Sequence, residues 1–270
     1  MSAVSGQPET ADVPAVPAGK DRRDLRLDAC RGLALWFVFI DHVPDNSLSW
    51  LTLRNYGFSD TSEVFVFISG YTCMLAYGGA LRELGWATTV VRALRRTWEI
   101  YAAFLVLLIA YVALVWVIGG GTRYLDETNT GIFFHEPGPT ILHVVTLQFA
   151  PVNTDILLTF ILLHISFPAL LWLMIHSATA TLLLSFMLYA MVQLFSWHLP
   201  AWPSGELYFN PFAWQVLFVI GGWFAYEGTK RLRVILQSRA LLIFAIMYLC
   251  FGLVVALSWQ FESFQGLVPQ

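Results

Sequence analysis

Apolar residues fall along this chain in blocks about one membrane thickness long, separated by short polar, basic or Gly/Pro-containing stretches. The windows 62–81, 98–118, 156–175, 178–197 and 240–259 are almost continuously apolar. About 20 such residues let an α-helix cross the hydrocarbon core of a bilayer. A shorter window, 211–227, starts at Pro211 and ends at Glu227-Gly228. The first window, 27–46, is different. Its unbroken apolar run covers only 33–40, and it carries Asp28, Arg31, Asp41 and His42. To cross, this helix must bring ionisable groups into the membrane, where they are costly and usually functional. The pattern predicts an all-α, polytopic membrane bundle of about seven helices.

Composition agrees. Of the 270 residues 57% are hydrophobic and 12% charged, and the mean hydropathy is +0.65. Soluble domains carry about twice that share of charge. The 11 Trp, 10 Tyr and 21 Phe suit repeated membrane interfaces. Cys30, Cys73 and Cys250 have no paired spacing, which argues against a disulfide framework and a zinc site and reads them as small packing residues. Residues 1–20 have no apolar core and read as a disordered cytoplasmic tail rather than a signal peptide. The membrane domain is expected over 21–260, with a tail at 261–270.

Charge sets the direction. With the N-terminus inside, all but Arg54 and Arg123 of the 15 Lys and Arg residues fall on the cytoplasmic side. They include Lys20, Arg22 and Arg23 before the first window. The positive-inside rule therefore supports alternating loops and a cytoplasmic N-terminus. The stretch 82–98 is amphipathic and basic and is expected to lie along the cytoplasmic interface. It reads either as a flank that sets topology or as a surface for a donor's phosphates. The longest connection, 119–155, lies outside. Its apolar stretch 141–149 is too short to cross and is expected to be interfacial or re-entrant. Long loops of this kind often shape a site.

Arg31 and His42 are 11 residues apart, close to three helical turns, so they share a face about 16 Å apart along the axis. With Arg31 near the cytoplasmic edge, His42 would lie near mid-membrane. Asp28 is placed to pair with Arg31. Asp41 points about 100° away from His42 and need not orient it. Pro44 removes a backbone donor and is expected to kink the helix after the histidine. Histidine, which titrates near neutral pH, suits a general base acting on a sugar hydroxyl that attacks a thioester. Arg31 suits an anionic donor.

The second window opens with Asp60 and Glu63, where the helix dipole favours carboxylates, and continues to Ser69-Gly70-Tyr71. Ser69-Gly70 permits close helix packing, and Tyr71 offers a hydroxyl. Asp155 reads as a cap of the fourth window, and His164 within it is either structural or cavity-lining. Asn210, Trp214 and Gln215 combine an aromatic with amides, which suits stacking on a sugar. Substrate contact is the candidate role for Asp28, Asp41, Arg54, Asp60, Glu63, Ser69, Tyr71, Asn210, Trp214 and Gln215. No metal-ligand pattern, phosphate-cradling glycine motif or nucleophile elbow is present, and no nucleic-acid partner is expected.

The string Leu27-Asp28-Ala-Cys30-Arg31-Gly-Leu-Ala, followed by a histidine on the same helix, resembles the first-helix signature of the integral-membrane acyltransferase-three superfamily. The fuller strings beginning at Arg31, Leu53, Glu63 and Phe209 resemble its OpgC branch. That resemblance implies an enzyme of the bacterial inner membrane that moves succinyl groups from succinyl-CoA to osmoregulated periplasmic glucans, with no bound cofactor. It also implies that Arg31 and His42 match the functional Arg and His, and Cys30 departs from the usual neighbours. Family members have about ten spans, so the C-terminal third is expected to be missing and the C-terminus to lie outside. The rival readings are a transporter or channel, and a shortened, inactive family member.

Overall fold

The computed structural model describes residues 25–43, 45–120 and 124–260. The expected N-terminal tail with Lys20, Arg22 and Arg23, the expected kink at Pro44, Arg123, and the tail 261–270 lie outside the described residues. Helices cover every window predicted from hydropathy, and no strand occurs among the described residues. Four helices are long and apolar enough to cross a membrane. The count of about seven crossings goes beyond these four, because two windows merge into one helix and two others are shorter than a span.

Helix α1 is Leu25–Asp41, shorter than its window. Two 3-10 turns, Ser47–Leu51 and Leu53–Asn55, lead to α2, Thr61–Ile118. Asp60 caps α2: its backbone is extended and its carboxylate accepts the Ser62 N–H at 3.3 Å. Glu63 in the first turn accepts the Ser59 hydroxyl at 2.7 Å. Helix α2 contains the second and third windows and the basic stretch between them. Its one non-helical residue is Gly85, at φ 78° and ψ 173°. Only glycine takes such a backbone without steric cost. The chain folds back there, because Glu99 and Arg96 lie within electrostatic reach of Tyr77. In a straight helix Tyr77 and Glu99 would be about 33 Å apart. The stretch 82–98 is thus the turn and ascending part of a helical hairpin. Thr89, Ala93 and Thr97 form its buried stripe, four residues apart, and Leu84, Val91, Leu94 and Trp98 are exposed.

Short helices α3 (Ile132–His135) and α4 (Pro137–Val145) follow, then α5 (Asp155–His176), α6 (Ala178–Phe195) and α7 (Pro211–Trp223). Asn210 caps α7 and Pro211 occupies its first turn. A π-helical turn, Phe224–Gly228, continues α7 into α8 (Thr229–Arg231) and α9 (Arg233–Leu236), and α10 is Arg239–Gln260.

The tightest crossing joins α2 to α7. A Cβ on Gly70 would lie 1.9 Å from the Phe218 carbonyl oxygen, and one on Gly221 would lie 2.0 Å from that of Phe67. The two backbones touch, as small residues allow in membrane bundles. Around this crossing Val66, Met74, Leu163, Phe167 and Phe218 form the main core. A second core gathers Phe104 and Leu108 of α2, Leu158 of α5, and Val144 and Phe149 of the long connection. The stretch 141–149 is therefore docked on α2 and α5 by its apolar side.

Three contacts align the helix ends. Asp41 at the end of α1 accepts the Thr61 hydroxyl at the start of α2, at 3.4 Å. Phe65 of α2 stacks on Phe160 of α5, with centroids 4.7 Å apart. The Thr159 hydroxyl donates to the Phe209 carbonyl just before α7. One end of the bundle thus holds the end of α1 and the starts of α2, α5 and α7.

Candidate active site on the first helix

Helix α1 packs on α2 through Ala34, its one buried residue, while Leu33, Trp36 and Phe39 face outward. His42 follows the last helical residue and is exposed. Its Nδ1 lies 2.7 Å from the Val38 carbonyl oxygen. A carbonyl only accepts, so Nδ1 carries the proton and the lone pair of neutral His42 resides on Nε2. The ring is held by its own helix and presents a basic nitrogen at the bundle end.

Asp41 turns the other way. Its carboxylate accepts the Thr52 hydroxyl at 2.5 Å and the Thr61 hydroxyl at 3.4 Å. Both threonines are buried. Asp41 ties α1, the 3-10 turns and α2 together and does not orient His42, as helical phase predicts. Neither threonine partner was legible from spacing, because the contacts join separate elements.

Arg31 is half-buried, and its Nε is buried without a hydrogen-bond partner. Ten residues of α1 from Asp41 and 12 residues of α2 from Thr61 put Arg31 and Cys73 at similar levels, about 15–18 Å below the Asp41–Thr61 contact. Arg31 is within electrostatic reach of Cys73 and of His164. His164 is the tenth residue of the 22-residue α5, so this level is midway along the bundle. Along the bundle Arg31 thus sits about midway, and His42 at the end of α1. His164 itself is buried. Its Nδ1 lies 2.8 Å from the Phe160 carbonyl oxygen and its Nε2 3.7 Å from the Cys73 sulfur. Cys73, read from sequence as a packing residue, is thus also a polar contact of His164.

The remaining candidates divide between the helix starts and the helix interfaces. Arg54 is exposed on the second 3-10 turn, and Asp28 lies in the first turn of α1. Asp60 and Glu63 sit at the start of α2 in capping contacts. Ser69 is buried and donates to the Phe65 carbonyl at 2.7 Å, while Tyr71 packs against the main core. The amide oxygen of Asn210 accepts the Phe212 N–H at 3.0 Å, and its NH2 group donates to the Trp197 carbonyl at 2.7 Å. Gln215 is buried, accepting the Ser185 hydroxyl at 2.7 Å and donating to the Ser185 carbonyl at 2.9 Å. Trp214 packs edge-on against Phe209, at 5.0 Å. Asp41, Asp60, Glu63 and His42 share one end of the bundle. Ser69, Tyr71 and Gln215 are set among the helices, apart from that group. Asp155 begins α5, where a carboxylate complements the helix dipole.

The apolar helices and the ionisable first helix define a polytopic helical membrane protein with an exposed histidine at one end. The chain belongs to the OpgC protein family, whose model matches residues 23–270. Membership points to a membrane acyltransferase. No curated protein and no solved structure matches the chain.

Proposed function

We propose that this chain is an O-acyltransferase of the bacterial inner membrane that moves succinyl groups from cytoplasmic succinyl-CoA to osmoregulated periplasmic glucans. The observation that carries the reading is the state of His42: with Nδ1–H held by the Val38 carbonyl, Nε2 is free to take a proton. The family match supports acyl transfer. The N-terminus is cytoplasmic in this reading, so the end of the bundle with His42 faces the periplasm and its acceptor.

The reaction needs few groups. Nε2 of His42 removes the proton from a sugar hydroxyl as the oxygen attacks the thioester carbonyl. The carbon–sulfur bond breaks, the ester forms, and the imidazolium proton passes to the departing thiolate. The donor binds extended, with its anionic groups toward Arg31 and its thioester toward His42. The unsatisfied, buried Nε of Arg31 supports this role, because a guanidinium pairs strongly with phosphate or carboxylate. Asp41 serves by fixing the end of α1. Mass spectrometry of periplasmic glucans from cells with and without the gene tests the reading: succinylated glucan should appear only with the gene. Identical glucans in both would overturn it.

A further inference from the structure

The connection between α2 and α5 carries a cavity that the proposed transfer does not use. Its volume is about 290 Å³, and Asp126, Asn129, His135 and Glu136 line it together with Leu125, Gly131 and Ile132. The walls are fixed. The Thr130 and Gly131 N–H groups both donate to the Leu125 carbonyl, at 2.9 and 3.1 Å. The Thr128 and Thr130 hydroxyls meet at 2.8 Å, and the Val152 N–H donates to the Thr128 carbonyl at 3.2 Å. On the other side the hydroxyl of Thr140, fully buried, reaches the Ile132 carbonyl of α3 at 3.3 Å as well as the Glu136 carbonyl that starts α4, which holds α3 against α4. A preformed wall lowers the ordering cost of binding.

The four polar side chains are exposed and make no hydrogen bond or ion pair among the described residues, so their polar atoms are open to a ligand. They are too dispersed for a metal: no group of three His, Cys, Asp or Glu side chains among the described residues could hold one. Two carboxylates, an amide and an imidazole spread around a cavity match spaced hydroxyl groups, each of which donates and accepts. Beside His135, Phe134 stacks on Trp116 with centroids 4.4 Å apart, and both rings are partly exposed. Such rings suit the C–H face of a sugar. The connection joins the end of α2 to the start of α5, which places the cavity at the same end of the bundle as His42.

We propose that this cavity is a subsite for a neutral, hydroxyl-rich carbohydrate, and that it holds one or two rings of the acceptor chain while another part reaches His42. Its size is near the lower limit of ligand pockets, about 300 Å³. The inference rests on the reading that the acceptor is a glucan.

The test titrates the full chain in lipid nanodiscs with a neutral glucose oligosaccharide, by calorimetry and saturation-transfer NMR. Gly131 has a right-handed helical backbone, and a Cβ there would meet Asp126 Oδ1 at 3.5 Å, an ordinary contact. Gly131→Leu therefore fills the cavity without backbone strain, and the double variant Asp126→Asn/Glu136→Gln weakens its acceptors. Each should reduce affinity about tenfold or more. Undetectable binding by the native chain, or unchanged affinity in both variants, overturns the subsite. Donor-dependent acyl transfer is measured on the same samples. Transfer by the native chain with unchanged sugar affinity in the variants would sink the subsite alone. Sugar binding lost in the variants, with no transfer by the native chain, would uphold the subsite and sink the transferase reading.

Discussion

Asp41 and Thr61 join the end of α1 to the start of α2 through a carboxylate–hydroxyl contact of 3.4 Å. Together with the Thr52 contact, this joint ties down the end of α1 from which His42 projects. Asp41→Ala leaves the buried Thr61 hydroxyl without an acceptor, while the Thr52 hydroxyl turns fully to the Ser49 carbonyl, 2.7 Å away. The expected loss is about 1–3 kcal/mol. Thermal unfolding in detergent should show a lower Tm for Asp41→Ala and a smaller drop for Asp41→Asn, which keeps one acceptor oxygen. Equal Tm values for all three would show that the joint does not hold the helix.

The α2–α7 crossing tolerates no side chain. Gly70→Ala and Gly221→Ala each place a Cβ within 2.0 Å of a backbone carbonyl oxygen, and the backbone cannot move aside as a flexible side chain could. Overpacking of this kind costs about 1–3 kcal/mol or more. Gly79→Ala is the control, since a Cβ there meets nothing within 4 Å. Thermal denaturation of the three variants should show loss in the first two and little change in the third.

Arg31 is expected to act on the donor. Arg31→Ala should raise the KM for the acyl donor roughly 10- to 100-fold, the range for losing hydrogen bonds to a charged group. Arg31→Lys should recover only part of this, because an ammonium lacks the planar fork of a guanidinium. Steady-state kinetics at varied donor concentration separates the cases. An unchanged donor KM in Arg31→Ala would remove Arg31 from the donor site.

Hydropathy located α5, α6 and α10 closely, because their polar boundaries coincide with their helix ends. It did not reveal that α2 continues through 82–98. The basic residues there look like a surface segment, whereas the backbone stays helical and turns at Gly85 alone. Helical phase correctly separated Asp41 from His42. It could not identify Thr52 and Thr61 as the partners of Asp41, or Cys73 as the neighbour of His164, since those contacts join separate elements. Asn210 and Gln215 show the reverse. Their amides suit sugar recognition by residue type, yet in the fold they cap α7 and bind Ser185. The polar residues of the 125–136 cavity carry no sequence pattern, and only the folded loop brings them together.

In the proposed reaction Nε2 of His42 removes the proton of the acceptor hydroxyl. The most direct measurement is succinyl transfer to glucan, followed by mass spectrometry, for the native chain and for His42→Ala at matched membrane levels and matched Tm. A general base contributes about 10²–10⁴ in rate. A loss of that size is expected in His42→Ala, with glucans left essentially unmodified. Full succinylation of glucan by His42→Ala would contradict it.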